Sequence, residues 1–293
     1  MQLTRNVLSK GFTLLELLVV VVLVSILFVM GAELIVSPIS SFVDVSRRAE
    51  LVDVADNALQ RMSRELRNAL PNSVRLTTSG SRTALEFLNT STGGRYRARL
   101  ESGGGGNVLQ NASSDTFDVL DAINGTINPG PAGQANCLNG NSDCLALYNT
   151  GTTTGSFNAY NGDNIASITA VNIVTNQITF DNGAGFSFPF PIPPTSQQRF
   201  YVVDGPISFV CDSATQQLRR YAGYTIVSGQ PVTDVQFGSA GALLADNVES
   251  CSFSYVSGAG SRHGLVTLRI RVVDSATSER VSLLYQVHVV NVP

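Results

Sequence analysis

One carboxylate stands where an apolar run should exclude it. The stretch Lys10 to Ile26, KGFTLLELLVVVVLVSI, holds Glu16 near its start, and from Leu17 to Ala32 no charge follows. A charge inside a bilayer costs several kcal/mol unless it is paired or sits near the interface. The chemistry open to Glu16 is therefore ion pairing.

Little else in the chain reads as catalysis. There are two histidines, His263 and His288. His288 falls in the strand-like YQVHVVNV and His263 in the Gly/Ser turn GAGSRHG, and neither neighbourhood carries a nucleophile signature. Asp115, Asp118 and Asp121 have no spacing that a strand or turn would put to use, and they read as solvated. The segment Asn139 to Asp143, NGNSD, offers oxygen ligands for calcium but lacks the EF-hand spacing and its distal glutamate. No enzyme activity, cofactor or metal is expected.

The four cysteines, Cys137, Cys144, Cys211 and Cys251, include no C-x-x-C pair, and two histidines are too few to complete a zinc site. An even count in an exported chain favours disulfides and an oxidising compartment. Cys211 alternates with Ile207 and Phe209, and Cys251 with Phe253 and Tyr255, so both point inward from strands. Cys137 and Cys144 bracket the turn-rich LNGNSD. Of three possible connectivities, 137–144 with 211–251 is the expected one.

These residues need elements to hold them. Arg5 and Lys10 precede the apolar run without an acid, and positive residues are nearly absent just after it. That bias leaves Met1 in the cytoplasm and the remainder outside. The uncharged run is too long for an ordinary signal-peptide core and lacks a small-x-small cleavage site behind it. Phe12 to Val36 supplies the ~20 apolar residues a membrane helix needs. Val45, Ala49, Val52, Ala55, Leu59, Met62, Leu66 and Ala69 then recur at spacings of three and four, one face of a helix that Pro71 ends. Gly31 and Pro38 are weak points, and Pro38 is expected to kink or open the helix.

Beyond Asn72 the chain reads as strands and turns. Candidates are RYRARL (95–100), a hairpin about Thr175 to Gln177, and strands at 199–204, 207–212, 218–221, 248–255, 265–274 and 280–290, the last two forming a hairpin. FSFPFPIPP (186–194) is an edge or connecting loop, because proline removes ladder donors. Charged residues make up 14% of the chain, its net charge is −3 and its arginines are scattered, which excludes a nucleic-acid binder.

KGFTLLELL resembles the class III signal of type IV pilins and pseudopilins: a basic leader, a glycine before the cut, then phenylalanine and a glutamate at the fifth mature position. The resemblance implies an α+β type IV pilin fold, with a long N-terminal helix packed on an antiparallel β-rich head. It divides the chain into a leader (1–11), a helix (12–70, with 12–36 in the membrane or filament core and 37–70 amphipathic) and a periplasmic head (71–293). It implies that a prepilin peptidase cuts after Gly11 and methylates the new amine of Phe12. Glu16, four residues on, would pair with that amine within a subunit or, as the family account favours, between subunits.

The segments Ser46 to Arg75 and Arg199 to Tyr224 are similar to the PulJ/GspJ group of minor pilins and pseudopilins. That likeness implies a structural subunit that primes or caps a filament. Its partners would be other minor pilins, the major pilin, the inner-membrane assembly platform and membrane lipid. Two further roles stay open: a type II secretion pseudopilin J, and a tip adhesin using Tyr148, Phe157 and Tyr160 as exposed aromatics.

Overall fold

The computed structural model describes residues 11–102, 104–109, 115–151, 157–181, 198–257 and 263–291, with the helical backbone alone over 32–40. FSFPFPIPP lies outside the described residues, so its expected edge or loop character has no counterpart here. Contacts divide the chain into two units, 1–50 and 51–293.

The first helix, α1, spans Leu14–Leu66 and is assigned without interruption through Gly31 and Pro38. The expected opening at Pro38 is absent. In the first unit the side chains of residues 11–30 and 41–50 are exposed, including Phe28 and Phe42. In the second unit α1 buries Leu51, Ala55, Ala58, Leu59, Met62 and Leu66, a stripe with the helical period. The expected face is thus found from Ala55 onward, whereas Val45 and Ala49 are exposed. The helix also stops four residues before the expected Leu70. There the sheet captures the backbone: the Leu70 amide donates to the Leu88 carbonyl and the Thr90 amide to Asn68. A chain whose amides are drawn into a ladder cannot also continue the i to i−4 pattern.

Among the described residues the second unit holds two antiparallel sheets. In the larger, β1 (Arg75–Ser79), β2 (Arg82–Arg95), β3 (Thr116–Asp118), β4 (Cys144–Ala146), β5 (Ile165–Asn172), β6 (Gln177–Phe180) and β7 (Arg199–Asp212) run in the order β1-β2-β7-β4-β5-β6-β3. β8 (Gln217–Ala222) also pairs with β7, and β9 (Ala242–Ala245) with β8. The smaller sheet is β10 (Val248–Val256), β11 (His263–Val273) and β12 (Arg280–Val290) in sequential order. A short helix, α2 (Gln134–Leu138), lies between β3 and β4, and another, α3 (Asp234–Phe237), between β8 and β9.

Strand β7 organises the larger sheet. The sequence breaks it at Gly205-Pro206, yet the structure keeps one strand of 14 residues. The break survives as a change of partner: Tyr201 to Val203 pair with β4, and Ile207 to Asp212 with β8. Gly205 sits at the junction with φ 144°, a conformation side-chain-bearing residues rarely adopt. RYRARL departs further from expectation, since β2 ends at Arg95 and only Tyr96 makes an isolated bridge, to Val119.

The principal core gathers the α1 stripe with Leu85, Phe87, Ile207 and Phe209 of the larger sheet and Val266, Leu268, Ile270 and Val272 of the smaller. Cys211–Cys251 joins β7 to β10 within it, with Cα atoms 6.2 Å apart. A second core around Phe117, Phe180 and Phe200 fills the region of β3 to β6. Cys137–Cys144 closes the loop after α2, with Cα atoms 5.1 Å apart. The two bonds are the pairs expected from the sequence.

Candidate processing and assembly site

Thr13 starts α1. Its hydroxyl accepts a hydrogen bond from the Glu16 amide at 3.3 Å, and its carbonyl accepts from the amides of Glu16 and Leu17 at 3.1 and 3.2 Å. T-x-x-E is the sequence of a capping box, and a carboxylate in the first turn also meets the positive end of the helix dipole. Glu16 therefore has a local reason for its place besides ion pairing. The sequence carried that signal, and the spacing Thr13–Glu16 was enough to find it.

Phe12 and Glu16 are both exposed, four residues apart at the head of an apolar span. That span, Leu14–Gly31, has mean hydropathy 2.9 and is long and apolar enough to cross a membrane. Gly11 is exposed too, and a Cβ built on it meets nothing within 4 Å.

The head contains a fully buried carboxylate, which sequence reasoning missed. Glu86 lies in ALEFL on β2, its side chain fully buried, directly opposite Arg75 on β1 and Ser208 on β7. Arg75 Nε donates to Glu86 Oε2 at 2.8 Å, while its Nη1 and Nη2 donate to the carbonyls of Ser228 and Val227. Tyr224 donates to Glu86 Oε1 at 3.1 Å and lies 2.7 Å from the Ser208 hydroxyl. Burial raises the Glu86 carboxyl above its ordinary range, and Arg75 and Tyr224 offset this only in part. The Arg75 guanidinium also stacks 3.6 Å from the centre of the Tyr160 ring. An acid inside an apolar run was the available signal, as it was at Glu16.

Several expectations need correction. Tyr160 is not an exposed aromatic: it is buried, and its hydroxyl donates to the Ser73 carbonyl at 2.9 Å. Tyr148 and Phe157 are half-buried and pack edge to face on each other, 5.8 Å apart. Asp118 is partly buried and paired: it accepts from Arg97 Nε at 3.0 Å, from Gln177 of the neighbouring β6 and from the Asn107 amide. Asp143 of NGNSD is buried and accepts from the Asn128 amide at 2.9 Å. His263 opens β11 instead of lying in a turn, and its ring contacts that of His288. Among the described residues no three His, Cys, Asp or Glu side chains are grouped to hold a metal.

Residues 8–32 match the family described as the prokaryotic N-terminal methylation motif. That match, an apolar N-terminal helix and an antiparallel β-rich head support a type IV pilin-like protein with the α+β arrangement of the pilin fold. The motif implies processing by a prepilin peptidase and handling by pilus-type assembly machinery, and the span fits an inner-membrane anchor. No curated protein and no solved structure matches the chain. The family match ends at residue 32 and speaks for the N-terminal segment, not for the head.

Proposed function

We propose that the chain is a minor pilin of a type IV pilus of the MSHA (mannose-sensitive haemagglutinin) type, a structural subunit that primes or caps the filament. The observation that carries this reading is the placement of Phe12 and Glu16, four residues apart at the head of an exposed apolar helix, inside the matched motif. Cleavage after Gly11 frees an ammonium on Phe12, which the prepilin peptidase then methylates in a separate step. Entry into a filament then buries that cation, and a carboxylate within reach offsets the cost of a lone buried charge. In the precursor the partner amine does not exist, so processing precedes packing.

The likeness of Ser46–Arg75 and Arg199–Tyr224 to the minor pilin MshO favours the pilus over a secretion pseudopilus. Its partners on this reading are the prepilin peptidase, the other minor pilins, the major pilin and the inner-membrane platform. The head projects into the periplasm and, after assembly, belongs to the pilus or its tip. Burial of Tyr160 removes one of three aromatics from the adhesin reading.

Deleting the gene should reduce surface filaments, and the wild-type protein should co-purify partner pilins from membranes. Normal filament numbers, together with a saturable glycan ligand for the protein, would replace assembly with adhesion.

A further inference from the structure

Four Asn-Gly pairs occur in the sequence, at 124–125, 139–140, 161–162 and 182–183. A glycine after asparagine carries no side chain to crowd its own peptide nitrogen, so that nitrogen can reach the asparagine side-chain carbonyl. The first three pairs lie among the described residues, and in each the asparagine is exposed. Two of these are held. The Gly140 amide donates to the Cys137 carbonyl at 3.1 Å, inside the loop that the Cys137–Cys144 bond closes, and the Gly162 amide donates to the Ala159 carbonyl at 3.1 Å. Asn124–Gly125 differs. Gly125 is exposed, and neither its amide nor the Asn124 side chain bonds to any group among the described residues. It is the other end of the same peptide group that is engaged, since the Thr92 hydroxyl of β2 donates to the Asn124 carbonyl. Gly125 has φ 102°, and a Cβ built on it would stand 3.1 Å from Thr92 Cβ, so glycine is what lets this turn approach the strand.

We propose that Asn124–Gly125 is a self-modification site, at which Thr92 assists the conversion of asparagine to aspartate and isoaspartate. The Gly125 nitrogen gives its proton to solvent hydroxide and attacks Asn124 Cγ. A new C–N bond closes a succinimide ring, the Cγ–Nδ2 bond breaks, and the nitrogen leaves as ammonia with a proton from water. Water then opens the ring at either carbonyl, and no oxidant or reductant takes part. The product carries an added negative charge on an exposed turn. As the Gly125 nitrogen loses its proton, negative charge spreads onto the Asn124 carbonyl oxygen, where the Thr92 hydroxyl already donates. A donor aimed at developing charge lowers that barrier. At Gly140 and Gly162 the amide must first leave its own bond, which for a typical hydrogen bond slows attack roughly fivefold. Thr92 is thus a positioning residue that acts on the nucleophile through the peptide group.

The test incubates the full-length protein in detergent at neutral and alkaline pH and follows the peptides containing Asn124, Asn139 and Asn161 by mass, which rises as NH2 is exchanged for OH. Conversion at Asn124 should rise with pH and outrun the other two by about fivefold or more. With the disulfides reduced in denaturant, the three rates should converge. Thr92→Val keeps the side-chain shape, removes the donor and should slow Asn124 about fivefold without moving the others. A hydroxyl that merely tethers the turn predicts the opposite, because loosening the turn would speed attack. Folded-state rates at Asn139 or Asn161 equal to that at Asn124 would overturn the site, as would an order that persists in denaturant. An unchanged or faster rate in Thr92→Val would overturn the assistance. The comparison within the unaltered protein decides the site even where the variant misfolds.

Discussion

The Glu16 amide donates to the Thr13 hydroxyl across the first turn of α1, at 3.3 Å. One residue thus closes the helix start through its backbone and, on the proposed reading, supplies the carboxylate that pairs with the Phe12 amine. The duties separate by mutation. Glutamine serves as well as glutamate at the third helical position but carries no charge. Glu16→Ala and Glu16→Gln should both leave the head folded and cleavage intact, and both should lower filament incorporation. Glu16→Asp should recover part of it, its side chain being one methylene shorter. Cleavage is read by mass, and incorporation by filament counts and partner pull-down. Full recovery with glutamine would show that capping alone explains Glu16.

At the other carboxylate, removing one partner should not equal removing the other. Arg75→Met leaves the Glu86 carboxylate buried without its cation, which should destabilise by about 3–5 kcal/mol. Glu86→Gln keeps an acceptor for Arg75 and Tyr224 and should cost much less. Melting the full-length variants in detergent compares them, and equal losses would contradict the asymmetry.

The same carboxylate predicts a pH dependence. Its folded value is raised by burial, so between the ordinary carboxylate range, about 4.3, and that raised value the folded chain binds more protons than the unfolded one. Stability contributed by Glu86 is therefore present at acid pH and lost as pH rises through this window. The stability of wild type relative to Glu86→Gln should fall across it. A rise would mean that the pair with Arg75 outweighs burial. Asp212 works in the opposite sense: burial alone would raise it, but bonds from Ser81, Arg82 and the Ala214 amide hold it below its usual range.

The two disulfides differ in the loops they close. On chain-entropy grounds, losing Cys211–Cys251, which spans 40 residues, should cost about 4 kcal/mol, and losing Cys137–Cys144, which spans seven, about 2 kcal/mol. Paired Cys→Ala variants melted under identical conditions give the order. Alkylation of exported protein without reduction should find no free thiol.

Legibility in the sequence followed the range of the interactions. Period-two alternation placed β10, β11 and β12 within a few residues, because each strand has one face on the core and one outward. The same alternation pointed Cys211 and Cys251 inward, and the structure joins them. What depended on distant partners was hidden. The end of α1 is set by capture of Leu70 on β2, and the bond from Tyr160 to Ser73 spans 87 residues. The continuity of β7 through Gly205-Pro206 depends on two different neighbours, β4 and β8, which no local pattern reveals. At the N-terminus the signals lie within five residues, so Phe12 and Glu16 were singled out from the sequence alone, whereas the Thr13 cap was passed over although its spacing to Glu16 is just as local.

The central claim is that the working protein begins at Phe12, with a methylated amine facing Glu16. Intact-mass measurement of the protein extracted from membranes tests it most directly. The account predicts a chain of 282 residues carrying one added methyl group, with formal charge −5 once Arg5 and Lys10 are removed with the leader. An uncut Met1, or a mature terminus at any other residue, would contradict it.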